Sequence, residues 1–264
     1  MLSLFALRLV CGMSLMWAGM PRREVTSGFF RIQMLVALGL SVLAALTFSP
    51  LGVPEDAARV ALLPAWAGRG SCILLAGLCF LGSVMWTLER RGAGEAFVFA
   101  VAAVSTAVLL LAGIPWPSDA ARFAIFHALS ELATACVLGA AVTGMLLGHW
   151  YLTAPTMSIA PLGRLNQFLA ASVSARLVLS AIGLVVAWPS LAGRSDWLLW
   201  VSLRWAAGIV GPLILSAMVW RILKYRHTQS ATGVLFAATI LVFLGELTAS
   251  LLSVEVAREI GVPL

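Results

Sequence analysis

The chain of 264 residues is strongly apolar, with 61% hydrophobic residues, 11% charged residues and a mean hydropathy of +1.01. Soluble domains contain about 45–50% apolar and about 25% charged residues, so this composition excludes a soluble globular protein. The net charge is +6, but the basic residues stand singly or in pairs between apolar runs. That pattern is typical of membrane orientation signals and excludes a nucleic-acid-binding surface.

Eight apolar runs follow one another along the chain, and each has about the 20 residues that a membrane-spanning helix needs, or more. The predicted helices cover 2–20, 28–48, 71–89, 95–114, 121–151, 162–188, 197–223 and 229–253. The first run lacks a basic segment before it, which favours a retained helix over a cleaved signal peptide. The sequence therefore predicts one all-α, multi-pass bundle over 1–264. The longest connection, 49–70, is expected to form an outer loop or a short interfacial helix.

The orientation of the bundle follows from its Lys and Arg residues. An even number of spans places both termini on the same side of the membrane. The loops after the first, third, fifth and seventh runs carry nine basic residues with the adjoining helix ends, and the opposite side carries five. Because cytoplasmic loops are enriched in Lys and Arg, we expect both termini to be extracytoplasmic, in the bacterial inner membrane.

Tryptophan supports the predicted helix ends. Nine of the ten tryptophans lie at or beside these ends, and only Trp205 lies well inside a run. Amphipathic indole rings favour the headgroup zone, so the sequence predicts aromatic belts at both membrane surfaces.

Ionisable side chains inside the apolar runs are the first candidates for a functional site, because charges in hydrocarbon are costly and usually face a bundle interior or a cavity. His127 and Glu131 are four residues apart and share a helix face. Arg204 and Glu246 lie at a similar predicted depth, and Arg176 extends this group inward. Such a group predicts a site that handles protons or binds a quinone. The alternative is that Arg204 pairs with Glu131 or Glu246 and only holds helices together.

A second candidate lies at the predicted inner face, where His149 ends one run and Asn166 and Gln167 begin the next. These three side chains would form an inner polar site, or else cap helices and contact lipid headgroups.

The three histidines offer little support for haem b. His127 and His149 are separated by about 33 Å along one helix, so they cannot ligate one iron together. His149 and His227 could form one pair, but headgroup contact explains His227 without a cofactor. The sequence thus disfavours haem, while a bound quinone stays open.

Several chemistries lack their residues. The chain contains no phosphate-binding loop, no zinc-protease motif and no nucleophile elbow. The four cysteines lie in apolar runs without a CxxC spacing, which is typical of small buried side chains, so we predict no metal site and no catalytic residue. Gly211-Pro212 should bend the seventh helix, because proline removes one backbone hydrogen bond.

Three function classes fit these observations. The helix count, the outer polar group and the small extramembrane parts resemble, in architecture alone, the quinol-reactive anchor subunits of molybdopterin-type oxidoreductases. The sequence accordingly favours a membrane subunit of a respiratory or other electron-transfer complex, whose partner subunits carry the redox centres. The alternatives are a transporter of small solutes or ions, and a structural or assembly subunit.

Overall fold

A computed structural model describes residues 2–48, 63–113, 124–154, 156–191 and 195–259, and all regular structure in these ranges is helical. The helices are α1 Leu2–Gly19, α2 Ser27–Thr47, α3 Ala65–Thr87, α4 Arg91–Gly113, α5 Ala124–Trp150, α6 Ala160–Leu191, α7 Ser195–Trp205, α8 Gly211–Lys224 and α9 Thr228–Glu259. A short 3₁₀ turn, Arg22–Glu24, follows α1, and a π-helical turn, Ala206–Val210, joins α7 to α8.

Eight of these segments are long and apolar enough to span a membrane, when α7, the π turn and α8 are taken as one span. The chain is therefore an all-helical, multi-pass integral membrane protein. Because the spans are even in number, α1 begins and α9 ends at the same end of the bundle, which we call the terminal end. The opposite end, where α1 ends and α2 begins, is the loop end.

Most predicted helix boundaries lie within three residues of the observed ones. The largest difference at a helix start is in α3, which begins at Ala65 and not at residue 71. Trp66 and Arg69 therefore belong to α3, and the loop before this helix ends earlier than predicted. Residues 49–62 of that loop lie outside the described residues. The largest difference at a helix end is in α9, which continues to Glu259, six residues beyond its predicted end.

The sequence predicts a bend at Gly211-Pro212, and the structure has a widened turn directly before this position. The N–H of Gly211 donates to the carbonyl oxygen of Ala206, five residues earlier, in place of the usual four. Pro212 follows directly, and proline has no N–H to continue the regular ladder. The π turn thus interrupts the span where proline removes a donor, just after Arg204.

The centre of the bundle is formed by α1 and α5. Buried residues make up 61% of the α1 span and 56% of the α5 span, against 28–44% for the other six. Helix α1 packs against α2, α4 and α5, while α5 also packs against α6 and α9. The bundle therefore consists of a group α1–α4 and a group α5–α9, which meet mainly along α1 and α5.

Two glycine pairs allow these helices to approach closely. A Cβ atom built on Gly12 would lie 1.7 Å from the carbonyl oxygen of Ala135, and one built on Gly139 would lie 2.0 Å from the carbonyl carbon of Gly12. A second pair joins the π turn to α9, where a Cβ on Gly245 would lie 2.1 Å from the Cα of Gly208. Small residues at helix crossings permit this backbone contact in membranes.

The tryptophans do not all form headgroup belts. Trp66 is 79% exposed, as a belt residue should be, but Trp17 and Trp86 are buried in the core. The ring of Trp86 stacks on Phe30 with a centroid distance of 4.5 Å. A position near a helix end therefore does not distinguish a belt residue from a core residue. The side chains of Trp116, Trp188 and Trp197 lie outside the described part of the chain.

Candidate functional site

A charged residue that we did not select from the sequence forms the best-defined ion pair of the bundle. Arg8 of α1 donates from Nε to Oε2 of Glu131 at 2.7 Å and from Nη2 to Oε1 at 2.5 Å. Two parallel hydrogen bonds of this kind make a bidentate, charge-assisted contact. The side chains keep 15% and 13% of their surface exposed, so the pair is close to the outside of the bundle.

A second ion pair lies deeper and connects three helices. Nε of Arg176 on α6 is 3.4 Å from Oε1 of Glu246 on α9, and both side chains are almost completely buried. Nη1 of the same guanidinium donates to Oγ of Ser130 on α5 at 2.6 Å. Arg176 therefore lies between a hydroxyl on one helix and a carboxylate on another, and its contact with Glu246 is the looser of the two.

Arg204, directly before the π turn, is 3% exposed and donates from Nη2 to Oγ of Ser180 on α6 at 2.9 Å. Glu246 attracts this guanidinium electrostatically. We predicted that Arg204 itself would be bonded to Glu131 or Glu246. The described contacts pair Glu131 with Arg8 and Glu246 with Arg176, and they show Arg204 as an electrostatic neighbour of Glu246.

These side chains form one group, which we call the Arg–Glu cluster: Arg8, Glu131, Arg176, Arg204 and Glu246. All three guanidinium groups interact electrostatically with Glu246. Among the described residues, the cluster thus contains three permanent cations and two carboxylates. Guanidinium groups donate hydrogen bonds but do not release protons in proteins, whereas carboxylates can take up and release them.

His127, the fifth predicted member of the outer group, lies on α5 one turn before Glu131, and its ring is partly buried. The structure therefore brings Glu131, Arg176, Arg204 and Glu246 to one region of the terminal half, with His127 beside it. Arg8 completes the region from α1, which the sequence analysis had left out.

The three residues of the predicted inner polar site differ in burial. His149 and Gln167 have exposed side chains, whereas Asn166 is buried. Asn166 donates from Nδ2 to the carbonyl oxygen of Ser216 at 3.0 Å and accepts from the Ser216 hydroxyl at 3.1 Å. Its amide is thereby used in packing α6 against α8, because a buried amide needs partners for both its donor and its acceptor.

The histidines at the loop end are also open to the surroundings. His149 and His227 are both exposed. Among the residues that the structure describes, His, Cys, Asp and Glu form no group of three that could hold a metal ion.

A groove runs along the outside of the bundle between α1 and α4, with a volume of about 630 Å³. Its walls are almost wholly apolar and include Leu15, Ala18, Phe99, Ala103, Thr106 and Ala107. Behind it, Sγ of Cys11 lies 3.4 Å from Oγ1 of Thr106. The groove therefore faces the lipid and has a narrow polar strip at its base.

Comparisons of the chain with protein-family models, curated proteins and solved structures gave no match. The function must therefore be argued from the Arg–Glu cluster and its surroundings alone. Arg8 had one signal in the sequence, since it is a charged residue inside an apolar run. Its partner Glu131 is 123 positions away, so no local spacing links the two.

Proposed function

We propose that this protein is the membrane subunit of an electron-transfer complex and that the Arg–Glu cluster forms its quinone- and proton-handling site. The observation that carries the proposal is the environment of Glu246. This carboxylate is 5% exposed, has a 3.4 Å contact with Arg176 and is attracted by two further guanidinium groups. Ionisable groups held in this way inside a membrane commonly mark proton or substrate pathways.

The chemistry of the cluster suits quinone reduction or quinol oxidation. Reduction of a quinone to a quinol consumes two electrons and two protons, and its carbonyl oxygens need hydrogen-bond donors. Guanidinium groups are such donors, while Glu131 and Glu246 are groups that can exchange protons. The electrons would come from haem, flavin or iron–sulfur centres on partner subunits.

A structural role is the second candidate, and the Arg8–Glu131 pair favours it. Its two short hydrogen bonds join α1 to α5, the two central helices, next to the contact of Gly12 with Gly139. Buried ion pairs can fix the register of helices without binding a ligand. The two candidates therefore differ most clearly in what they predict for each carboxylate.

Neutralising the two carboxylates one at a time tests the proposal. Glu246→Gln and Glu131→Gln keep the shape and hydrogen-bonding capacity of the side chain but remove its charge change. We expect each variant to assemble and to lose at least about tenfold in quinone-dependent turnover per assembled complex. Glu95→Gln is the matched control, because Glu95 pairs with Arg22 at the loop end, outside the cluster.

The measurement is quinone-dependent electron transfer by the complex that is purified gently from native membranes, normalised to the amount of assembled complex. Normal turnover in both cluster variants would eliminate the quinone- and proton-handling role. Loss of assembly, with normal turnover in the remaining complex, would support the structural role.

We further propose that the terminal end faces outward across a bacterial inner membrane, from the distribution of basic residues. Single cysteines at Ser118 and Thr228, in a background without the four native cysteines, should react with an impermeant thiol reagent from opposite sides. Ser118 lies outside the described residues, and Thr228 begins α9 at the loop end. Labelling of the Thr228 cysteine from outside intact cells would reverse the orientation.

A further inference from the structure

The groove between α1 and α4 lies on the same face of α1 as Arg8 of the Arg–Glu cluster. On α1, the residues Arg8, Cys11, Leu15 and Ala18 are spaced by three, four and three, so they share one face of the helix. Leu15 and Ala18 line the groove, and Cys11 contacts Thr106 at its base. The same face of α1 therefore carries the groove wall and, one turn beyond Cys11, the guanidinium of Arg8.

The register of α1 against α4 shows how far the groove extends. These neighbouring helices run in opposite directions, and the contact of Cys11 with Thr106 fixes their alignment. One turn toward the terminal end from this contact, α1 reaches Arg8 and α4 reaches Leu110, which also lines the groove. The apolar groove thus ends at about the depth of the Arg8–Glu131 pair.

The groove exists because α4 presents small side chains there. Ala103 and Ala107 face outward, between the larger Phe99 and Leu110. Its volume of about 630 Å³ is within the range of about 300–1,000 Å³ that is usual for sites of small ligands. An apolar, laterally open groove of this size suits a hydrocarbon chain that enters from the bilayer.

Arg8 retains hydrogen-bonding capacity at the end of the groove. A guanidinium has five N–H groups, and in the described contacts Arg8 uses one on Nε and one on Nη2 for Glu131. The partial exposure of the pair, 15% and 13%, is consistent with access from outside the bundle. A carbonyl oxygen at the terminal end of the groove could accept the N–H groups that remain.

We propose that the groove holds the isoprenoid tail of a membrane-soluble quinone, with the quinone head beside Arg8. This inference rests on the proposed function and adds the ligand's tail and its lateral route to the cluster. Arg8 lies six residues after Leu2, about 9 Å along the helix from its start. A neutral quinone head can descend to that depth, whereas the charged head of a phospholipid is held at the membrane surface by its cost of desolvation.

The test compares two ubiquinones that share a head and differ in the tail, together with a long-tailed menaquinone that has a different head. Wild-type protein and variants are placed in lipid nanodiscs with equal mole fractions of long-tailed ubiquinone, long-tailed menaquinone or a ubiquinone head without an isoprenoid tail. The bound ligand is then identified and quantified by native mass spectrometry. The groove variant is Ala103→Leu with Ala107→Leu, which fills the groove at two outward-facing positions. Ala96→Leu is the matched control, because Ala96 is an exposed alanine of α4 that does not line the groove.

We expect wild type and the control to retain at least one long-tailed quinone, and the groove variant to bind it at least about tenfold more weakly. Binding of the tailless quinone should change by less than about twofold, because its head still reaches Arg8. Equal long-tail binding by the groove variant and wild type would overturn the inference while leaving the proposed function intact. The inference would also be overturned if the groove variant lost a bound phospholipid and no quinone. Failure of wild type to bind any of the three quinones would overturn the inference and the quinone-binding part of the proposed function together.

Discussion

The α1–α5 contact and the contact between the π turn and α9 are built from the same kinds of residue but differ in tightness. Each has a glycine pair with a glutamate on one of its helices. At α1–α5, Glu131 is held by two hydrogen bonds from Arg8. At the π turn and α9, the described ion pair of Glu246 is longer, at 3.4 Å, and comes from Arg176 of a third helix.

The difference separates two uses of a buried carboxylate. A carboxylate with two short hydrogen bonds from one guanidinium is fixed in place, and its charge is strongly required. A carboxylate with one loose contact among several cations has more freedom to bind a proton or another donor. We therefore expect the first contact to contribute more to stability and the second to contribute more to turnover.

The largest effect on stability is expected from Gly12→Ala. The added methyl would lie 1.7 Å from the carbonyl oxygen of Ala135, so α1 and α5 must separate. Overpacking commonly costs about 1–3 kcal/mol, and a clash with backbone should reach about 3 kcal/mol or more. The free energy of unfolding in detergent, measured by denaturant titration, checks this value.

Alanine substitutions at two other glycines serve as comparisons for Gly12→Ala. Gly208→Ala would place its methyl 2.9 Å from the Cα of Gly245, and it should cost less than Gly12→Ala. Gly39→Ala meets nothing within 4 Å and should be neutral, or stabilising by up to about 1 kcal/mol because alanine favours helix. If Gly12→Ala and Gly208→Ala lose the same free energy of unfolding, the two contacts are equally tight.

A smaller effect is expected when one partner of the tight ion pair is removed. Breaking a fully buried pair costs about 3–5 kcal/mol, and the partial exposure of Arg8 and Glu131 should reduce this to about 2 kcal/mol for Arg8→Met. The double variant Arg8→Met with Glu131→Met should recover to within about 1 kcal/mol of wild type, since no unpaired carboxylate is left. If the double variant is as unstable as Arg8→Met, the lost stability comes from the packing of the arginine side chain and not from an unpaired charge.

The sequence alone was sufficient for the eight spans, because each one is a long apolar run and lipid allows only backbone that bonds to itself. The sequence also indicated four members of the cluster, because Glu131, Arg176, Arg204 and Glu246 are ionisable residues inside apolar runs. The sequence did not predict the ion-pair partners of these residues. Which arginine meets which carboxylate depends on how α1, α5, α6 and α9 rotate against one another, and that rotation is set by packing.

Arg8 illustrates what the sequence analysis missed. It is a charge within the first apolar run, but its own helix has no other charged residue that would mark a site. The same limit applies to tryptophan, because Trp17 and Trp86 satisfy the positional rule for a membrane belt and yet pack in the core. Position along a helix gives depth in the membrane, whereas the direction of a side chain needs the packed bundle.

The π turn has a mechanical consequence for the cluster. In a regular helix, a rotation at one end is transmitted to the other through an unbroken ladder of hydrogen bonds. Here the ladder changes spacing between Trp205 and Gly211, and Pro212 lacks a donor. The short segment α7, which carries Arg204, is therefore linked to α8 by fewer regular backbone hydrogen bonds than in an unbroken helix. The position of Arg204 relative to Glu246 thus depends more on the packing of α7 against α9 than on the loop end of the same span.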